Sequence, residues 1–181
     1  MRTSGATVAI VVLASLFNQG RQSPTPIDVT RLGPQVGQPV PDFRLHDGQG
    51  KVWSRDSIMG PKGAMLVFSR SLDWCPYCKT QAVELQGRIA ALKAQGLGVA
   101  LITYDSPAIL ADFARRRGIT FPLLSDPGPP TIRAYGILNT TAAAGTRDYG
   151  IPFPGTFLLD PRGTVTSRFF EEAYQERNTV S

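Results

Sequence analysis

Cys75 and Cys78 are the only cysteines in the chain, and two residues separate them. A bridge between residues three apart closes almost no loop. It removes little freedom from the unfolded chain and cannot act as the long-range staple of a small secreted scaffold. Structural zinc takes four Cys or His ligands, and this chain offers the pair and one histidine, His46, so a single chain cannot complete such a site. A cysteine–histidine hydrolase would bring His46 to Cys75 and leave the second cysteine without a role. His46 opens the stretch His46-Asp47-Gly48-Gln49-Gly50, rich in turn formers, and reads as a surface turn residue. Redox chemistry of the pair is what remains.

The flanks of the pair give the same reading. Met65 to Phe68 is a continuous apolar run, as in a strand buried on both faces. Then come Asp73-Trp74-Cys75-Pro76-Tyr77-Cys78-Lys79 and a stripe of Ala82, Leu85, Ile89 and Leu92 at helical spacing, which Gly96 can close. Cys75 is therefore placed at a helix start, where free backbone N–H groups and the helix dipole favour the thiolate, the nucleophilic form of cysteine. Pro76 has its φ already set for a first helical turn. Cys78, one turn on, reaches back and is expected to be the more buried of the two. The pair divides the work: Cys75 attacks a disulfide or a peroxide, and Cys78 resolves the product. Lys79 reads as a solvated lysine.

Val99 to Tyr104 reads as a second buried strand. Ser106-Pro107 opens a second helix, with Ile109, Leu110, Phe113 and Ala114 on its buried face. Strand, helix, strand, helix with short connections calls for parallel strands with helical crossovers. Phe157–Leu159 and Val165–Phe169 flank Asp160-Pro161-Arg162-Gly163, a type I turn pattern, and form a terminal hairpin. A mixed sheet of two parallel strands plus this hairpin is expected. Asp42 to Trp53 reads as a small N-terminal hairpin. Ser125 to Gly155, rich in proline and glycine, reads as a loop crossing the active face, with a short helix near Thr131 to Tyr135.

Net charge is +5 and the pI is about 9.6. The cations are scattered except for Arg115, Arg116 and Arg117, which precede Gly118 and suit a helix C-terminus, so no nucleic-acid partner is expected. Arg2 followed by the apolar run Ala6 to Phe17 fits a secretory signal or an uncleaved anchor, and the run is short for a membrane span of about 20 residues. The expected organisation is a signal peptide or anchor over 1–22, a proline-containing linker over 23–33, a domain over 34–175 and a polar tail over 176–181. The protein is expected to be exported.

Trp74-Cys75-Pro76-Tyr77-Cys78 after an apolar strand resembles the thioredoxin superfamily. Three further pieces occur in order: Val36-Gly37-Gln38-Pro39-Val40-Pro41-Asp42-Phe43, Phe121-Pro122-Leu123-Leu124-Ser125-Asp126, and Pro154-Gly155-Thr156-Phe157-Leu158-Leu159-Asp160. Together they resemble the alkyl hydroperoxide reductase/thiol-specific antioxidant branch, the redoxins or peroxiredoxin-like proteins, over about residues 34 to 170. The resemblance implies an α/β thioredoxin fold: a mixed central sheet with flanking helices and an N-terminal hairpin extension. It implies a cis bond before Pro154 beside the cysteines, with the Phe153 backbone free to pair with a substrate. The expected substrate surface is Trp74, Pro76, Tyr77, Phe153 and Pro154. Two features depart from peroxiredoxins: Leu72 stands where a Thr or Ser is usual, and Pro154 stands where an arginine is usual. Thioredoxins carry a buried carboxylate on the strand before the motif, and here that strand ends in Phe68 and Ser69.

The leading expectation is a thiol–disulfide oxidoreductase acting on protein or small-molecule disulfides. The others are a two-cysteine peroxidase acting on hydroperoxides and a non-enzymatic binding module. No cofactor is required. An external electron donor, thioredoxin- or glutathione-like, is expected, and a membrane only through the N-terminal segment.

Overall fold

The computed structural model describes residues 27–170. The stretches 1–22 and 176–181, and with them the signal-or-anchor reading, lie outside the described residues. The chain forms a mixed seven-stranded sheet. Its strands are β1 (Arg44–Asp47), β2 (Val52–Ser54), β3 (Gly63–Phe68), β4 (Leu97–Thr103), β5 (Leu123–Ser125), β6 (Gly155–Leu159) and β7 (Val165–Phe170). Among the described residues four α-helices accompany it: α1 (Arg55–Ile58), α2 (Pro76–Ala94), α3 (Pro107–Arg117) and α4 (Pro130–Ala134). The spatial order is β2-β1-β5-β4-β3-β6-β7.

β3 is buried along its whole length because both of its faces are covered. Side chains alternate across a strand. Ala64, Leu66 and Phe68 therefore join one core layer with Ile132, Tyr135 and Phe157, while Met65 and Val67 join the other with Leu85, Ile89 and Phe113. Rings of Phe68, Tyr135 and Phe157 meet at centroid distances of 4.8 to 6.0 Å, within the range for favourable aromatic pairs.

β3, β4 and β5 run parallel, one strand more than expected. β5 is only three residues long and carries no periodicity of its own to reveal it. The N-terminal hairpin is also more than an extension, since β1 pairs antiparallel with β5 and carries the sheet outward to β2. His46 lies within β1 instead of a turn. The turn follows it, held by the Asp47 carboxylate, which accepts the N–H groups of Gln49 and Lys51. The terminal hairpin forms as read: the Gly163 N–H donates to the Asp160 carbonyl at 2.9 Å, and Gly163 has the φ of +81° that closes such turns.

The N-terminal stretch is fastened to the outer strand. Arg168 on β7 donates to the main-chain carbonyls of Val29, Thr30 and Leu32 and to the Gln35 side chain.

Candidate active site

The chain leaves β3 at Phe68, forms a loop over Ser69–Trp74, and enters α2 at Cys75. Cys75 is the N-cap of that helix, with extended dihedrals (φ −90°, ψ 107°), and Pro76 takes the first helical position. One turn on, the Cys78 N–H points at the Cys75 sulfur, at 3.3 Å. An orphan helix donor thus faces the atom that would carry negative charge in the thiolate. The pair is disulfide-bonded, with Cα atoms 5.3 Å apart.

Unequal burial was expected of the two cysteines, and it is not found: Cys75 is 1% exposed and Cys78 0%. The bond draws both sulfurs into one apolar layer with Leu72, Ala82 and Phe113. Pro76 and Tyr77 stand exposed beside them, Tyr77 at 42%, and Trp74 is half-buried.

The loop that delivers Cys75 is held from beneath by a buried carboxylate, Asp105, at the end of β4 and 4% exposed. One carboxylate oxygen accepts the Ser71 hydroxyl at 2.8 Å; the other accepts the Leu72 N–H at 2.6 Å and the Thr103 hydroxyl at 3.0 Å. The Ser71 oxygen in turn accepts the Asp73 N–H at 3.0 Å. Burial raises the Asp105 carboxyl above its ordinary value of 3.8; the three donors offset part of that rise, and the Asp73 charge adds to it.

A second assembly surrounds Trp74. Its indole N–H donates to the Tyr104 hydroxyl at 2.9 Å, and that hydroxyl donates to the Arg147 carbonyl at 2.6 Å. The guanidinium carbons of Arg70 and Arg147 lie 4.9 and 4.7 Å from the Trp74 ring, at cation–π distance. The loop between α4 and β6 therefore does return to the cysteine face, through Arg147. Burial raises the Tyr104 hydroxyl above its ordinary value.

Phe153 and Pro154 depart from expectation. The bond between them is trans. The Phe153 N–H is also engaged, donating to the Ile137 carbonyl at 2.7 Å beside the Leu138–Pro152 bridge. This N–H is therefore not free for a substrate. Pro154 is buried one residue beyond Gly155, the partner of Phe68, and so sits where β3 gives way to the cysteine loop. His46 is exposed, and its ring Nδ1 lies 3.3 Å from the Gly50 carbonyl.

Sequence reasoning missed Asp105, Ser71, Tyr104 and Arg147. A weak signal for the first existed: Thr103 and Asp105 are polar residues at the end of an otherwise apolar strand, and a buried polar side chain implies a partner.

Comparison with known proteins accords with this arrangement. Residues 36–168 match the AhpC/TSA family. Alkyl hydroperoxide reductase E of Mycobacterium tuberculosis is 30% identical over 138 residues, covering 75% of this chain and 84% of its own. Thiol-disulfide oxidoreductase ResA of Geobacillus thermodenitrificans is 29% identical over 131 residues, covering 72% and 66%. Among solved structures, peroxidoxin BcpB of M. tuberculosis superimposes with a TM-score of 0.68 at 22% identity, over 78% of this chain and 90% of that one, a likeness of fold. A thioredoxin-type sheet, a cysteine pair at the start of α2 and a match across most of the domain lead to one conclusion: the chain belongs to the AhpC/TSA family.

Proposed function

We propose that the protein is a dithiol–disulfide oxidoreductase working through Cys75 and Cys78. The carrying observation is the N-cap position of Cys75, with the Cys78 N–H directed at its sulfur. In the reducing direction the Cys75 thiolate attacks one sulfur of a substrate disulfide and expels the other as a thiolate. A mixed disulfide results. The Cys78 thiolate then attacks the Cys75 sulfur, closes the internal bond and releases the second substrate thiolate. Two electrons pass from the protein to the substrate, the two protons of the cysteine pair end on the released thiols, and an external dithiol or glutathione-like donor resets the pair. Trp74, Pro76 and Tyr77 line the approach. An exported location, suggested by the N-terminal apolar run, and domain limits of 34–175 belong to the same reading.

Cys75→Ser should abolish reduction of a small disulfide. Cys78→Ser should leave the first attack intact and accumulate the mixed disulfide, visible as an added substrate mass on the intact protein. Turnover by Cys75→Ser at the wild-type rate would refute the assignment.

The names of several relatives favour a second reading, reduction of hydroperoxides. The site gives it less support. Leu72 occupies the place of the hydroxyl usual in peroxiredoxins, and the neighbouring Ser71 hydroxyl is committed to Asp105. Stopped-flow mixing of the pre-reduced chain with hydrogen peroxide, followed by tryptophan fluorescence, separates the two. Slow oxidation alongside fast disulfide exchange is the expected outcome; fast oxidation saturating at one peroxide per dithiol would establish the peroxidase.

A further inference from the structure

We infer that the face beside Cys75 selects substrates carrying a carboxylate close to the reactive disulfide bond, and that Arg147 is the selecting residue. The inference rests on the oxidoreductase reading and adds the charge class of its substrate.

Trp74 immediately precedes the attacking cysteine, and its ring is fixed at the edge by the bond to Tyr104. Arg147 comes from far along the chain and is held against that ring at two points: its carbonyl accepts the Tyr104 hydroxyl, and its guanidinium lies 4.7 Å from the Trp74 ring. The loop behind it carries two local turn bonds, from the Thr146 N–H to the Ala143 carbonyl and from the Tyr149 N–H to the Thr146 carbonyl. Arg147 is exposed, and among the described residues its guanidinium forms no ion pair. A guanidinium lying over an aromatic ring uses its π face and leaves its in-plane N–H donors directed outward. That fork fits a carboxylate with two parallel hydrogen bonds. Arg70, against the same ring, adds a second positive charge on this face. Asp73 and Asp148 are the acidic residues next to Trp74 and Arg147 in the chain.

The location next to Cys75 gives this arrangement its consequence. An anionic group held at Arg147 lies beside the sulfur under attack, and each exchange releases thiolate, so positive charge here favours binding and departure alike.

Three aliphatic disulfides of similar size test it: 3,3′-dithiodipropionate (a dianion), bis(2-hydroxyethyl) disulfide (neutral) and cystamine (a dication). Second-order rates of oxidation of the pre-reduced full chain are read by acid quench and thiol alkylation. The wild type should favour the dianion over the dication, and 0.5 M salt should flatten that preference. Measured against the neutral disulfide with the same variant, Arg147→Glu should lower the relative dianion rate roughly three- to tenfold and raise the relative dication rate. Equal charge ratios in wild type and Arg147→Glu, or an equal loss with all three disulfides, would overturn the role of Arg147 while leaving the redox reading standing. No exchange by the wild type with any of the three would remove the redox reading and this inference with it.

Discussion

Asp105 shows how a single side chain can set the geometry of a site it does not belong to by sequence. It binds Ser71 and Leu72, more than thirty positions away, and through them holds the loop that ends in Cys75. Its raised carboxyl has a readable consequence. Between the ordinary value of 3.8 and the raised one, the folded chain binds more protons than the unfolded chain. Stability from this group is therefore fullest at or below about pH 3.8 and declines as pH rises through the folded value. The stability gap between wild type and Asp105→Asn, measured by urea unfolding, should be wider at pH 4 than at pH 7. An equal or narrower gap would contradict the raised carboxyl. The cysteine pair itself was legible in the sequence because its meaning is local: two thiols one helical turn apart, between an apolar strand and a helix. Asp105 was not, because its partners are brought to it only by the parallel pairing of β4 beside β3.

Among the elements, the parallel pair β3 and β4 depends on glycines where backbones cross at short range. Gly98 on β4 lies under the end of α1, and a Cβ there would fall on the Ile58 carbonyl oxygen. Backbone cannot swing aside as a side-chain tip can, so Gly98→Ala should destabilise the fold by about 2 kcal/mol or more. Gly87, exposed in mid-α2 with nothing near its Cβ position, supplies the contrast. Gly87→Ala should stabilise by about 0.5–1 kcal/mol, through the lower entropy of the unfolded chain and better helix propensity. Chemical denaturation of the two variants checks both signs. The long elements were legible because the apolar run of β3 and the stripe of α2 repeat over enough residues to declare a period. β5 and the place of β1 between β5 and β2 were not, since a three-residue strand has no period and pairing partners are a property of the assembled sheet. The engaged Phe153 N–H escaped for a related reason: its acceptor, the Ile137 carbonyl, belongs to a segment distant in sequence.

At the scale of the whole molecule, the Arg168 clasp makes residues 29–35 a docked strap on the outer strand. Arg168→Ala should release it. Limited proteolysis or hydrogen exchange should show faster attack within 29–35, with disulfide-exchange rates unchanged because the cysteines follow β3, which β6 separates from β7 in the sheet order. Unaltered protection of that stretch would mean the clasp contributes nothing to docking. Three of the four groups that Arg168 holds are main-chain carbonyls, which every amino acid possesses. Leu32 also packs its side chain against the core, whereas the side chains of Val29 and Thr30 are not read by the clasp and can drift over generations without undocking the strap. Gly33 cannot: its φ is +65°, and a Cβ there would stand 3.0 Å from both Ile137 and Phe157. Across descendants of this chain, the pattern to look for is variation at 29 and 30 beside positions that hold still: an apolar residue at 32, the glycine at 33 and the arginine at 168.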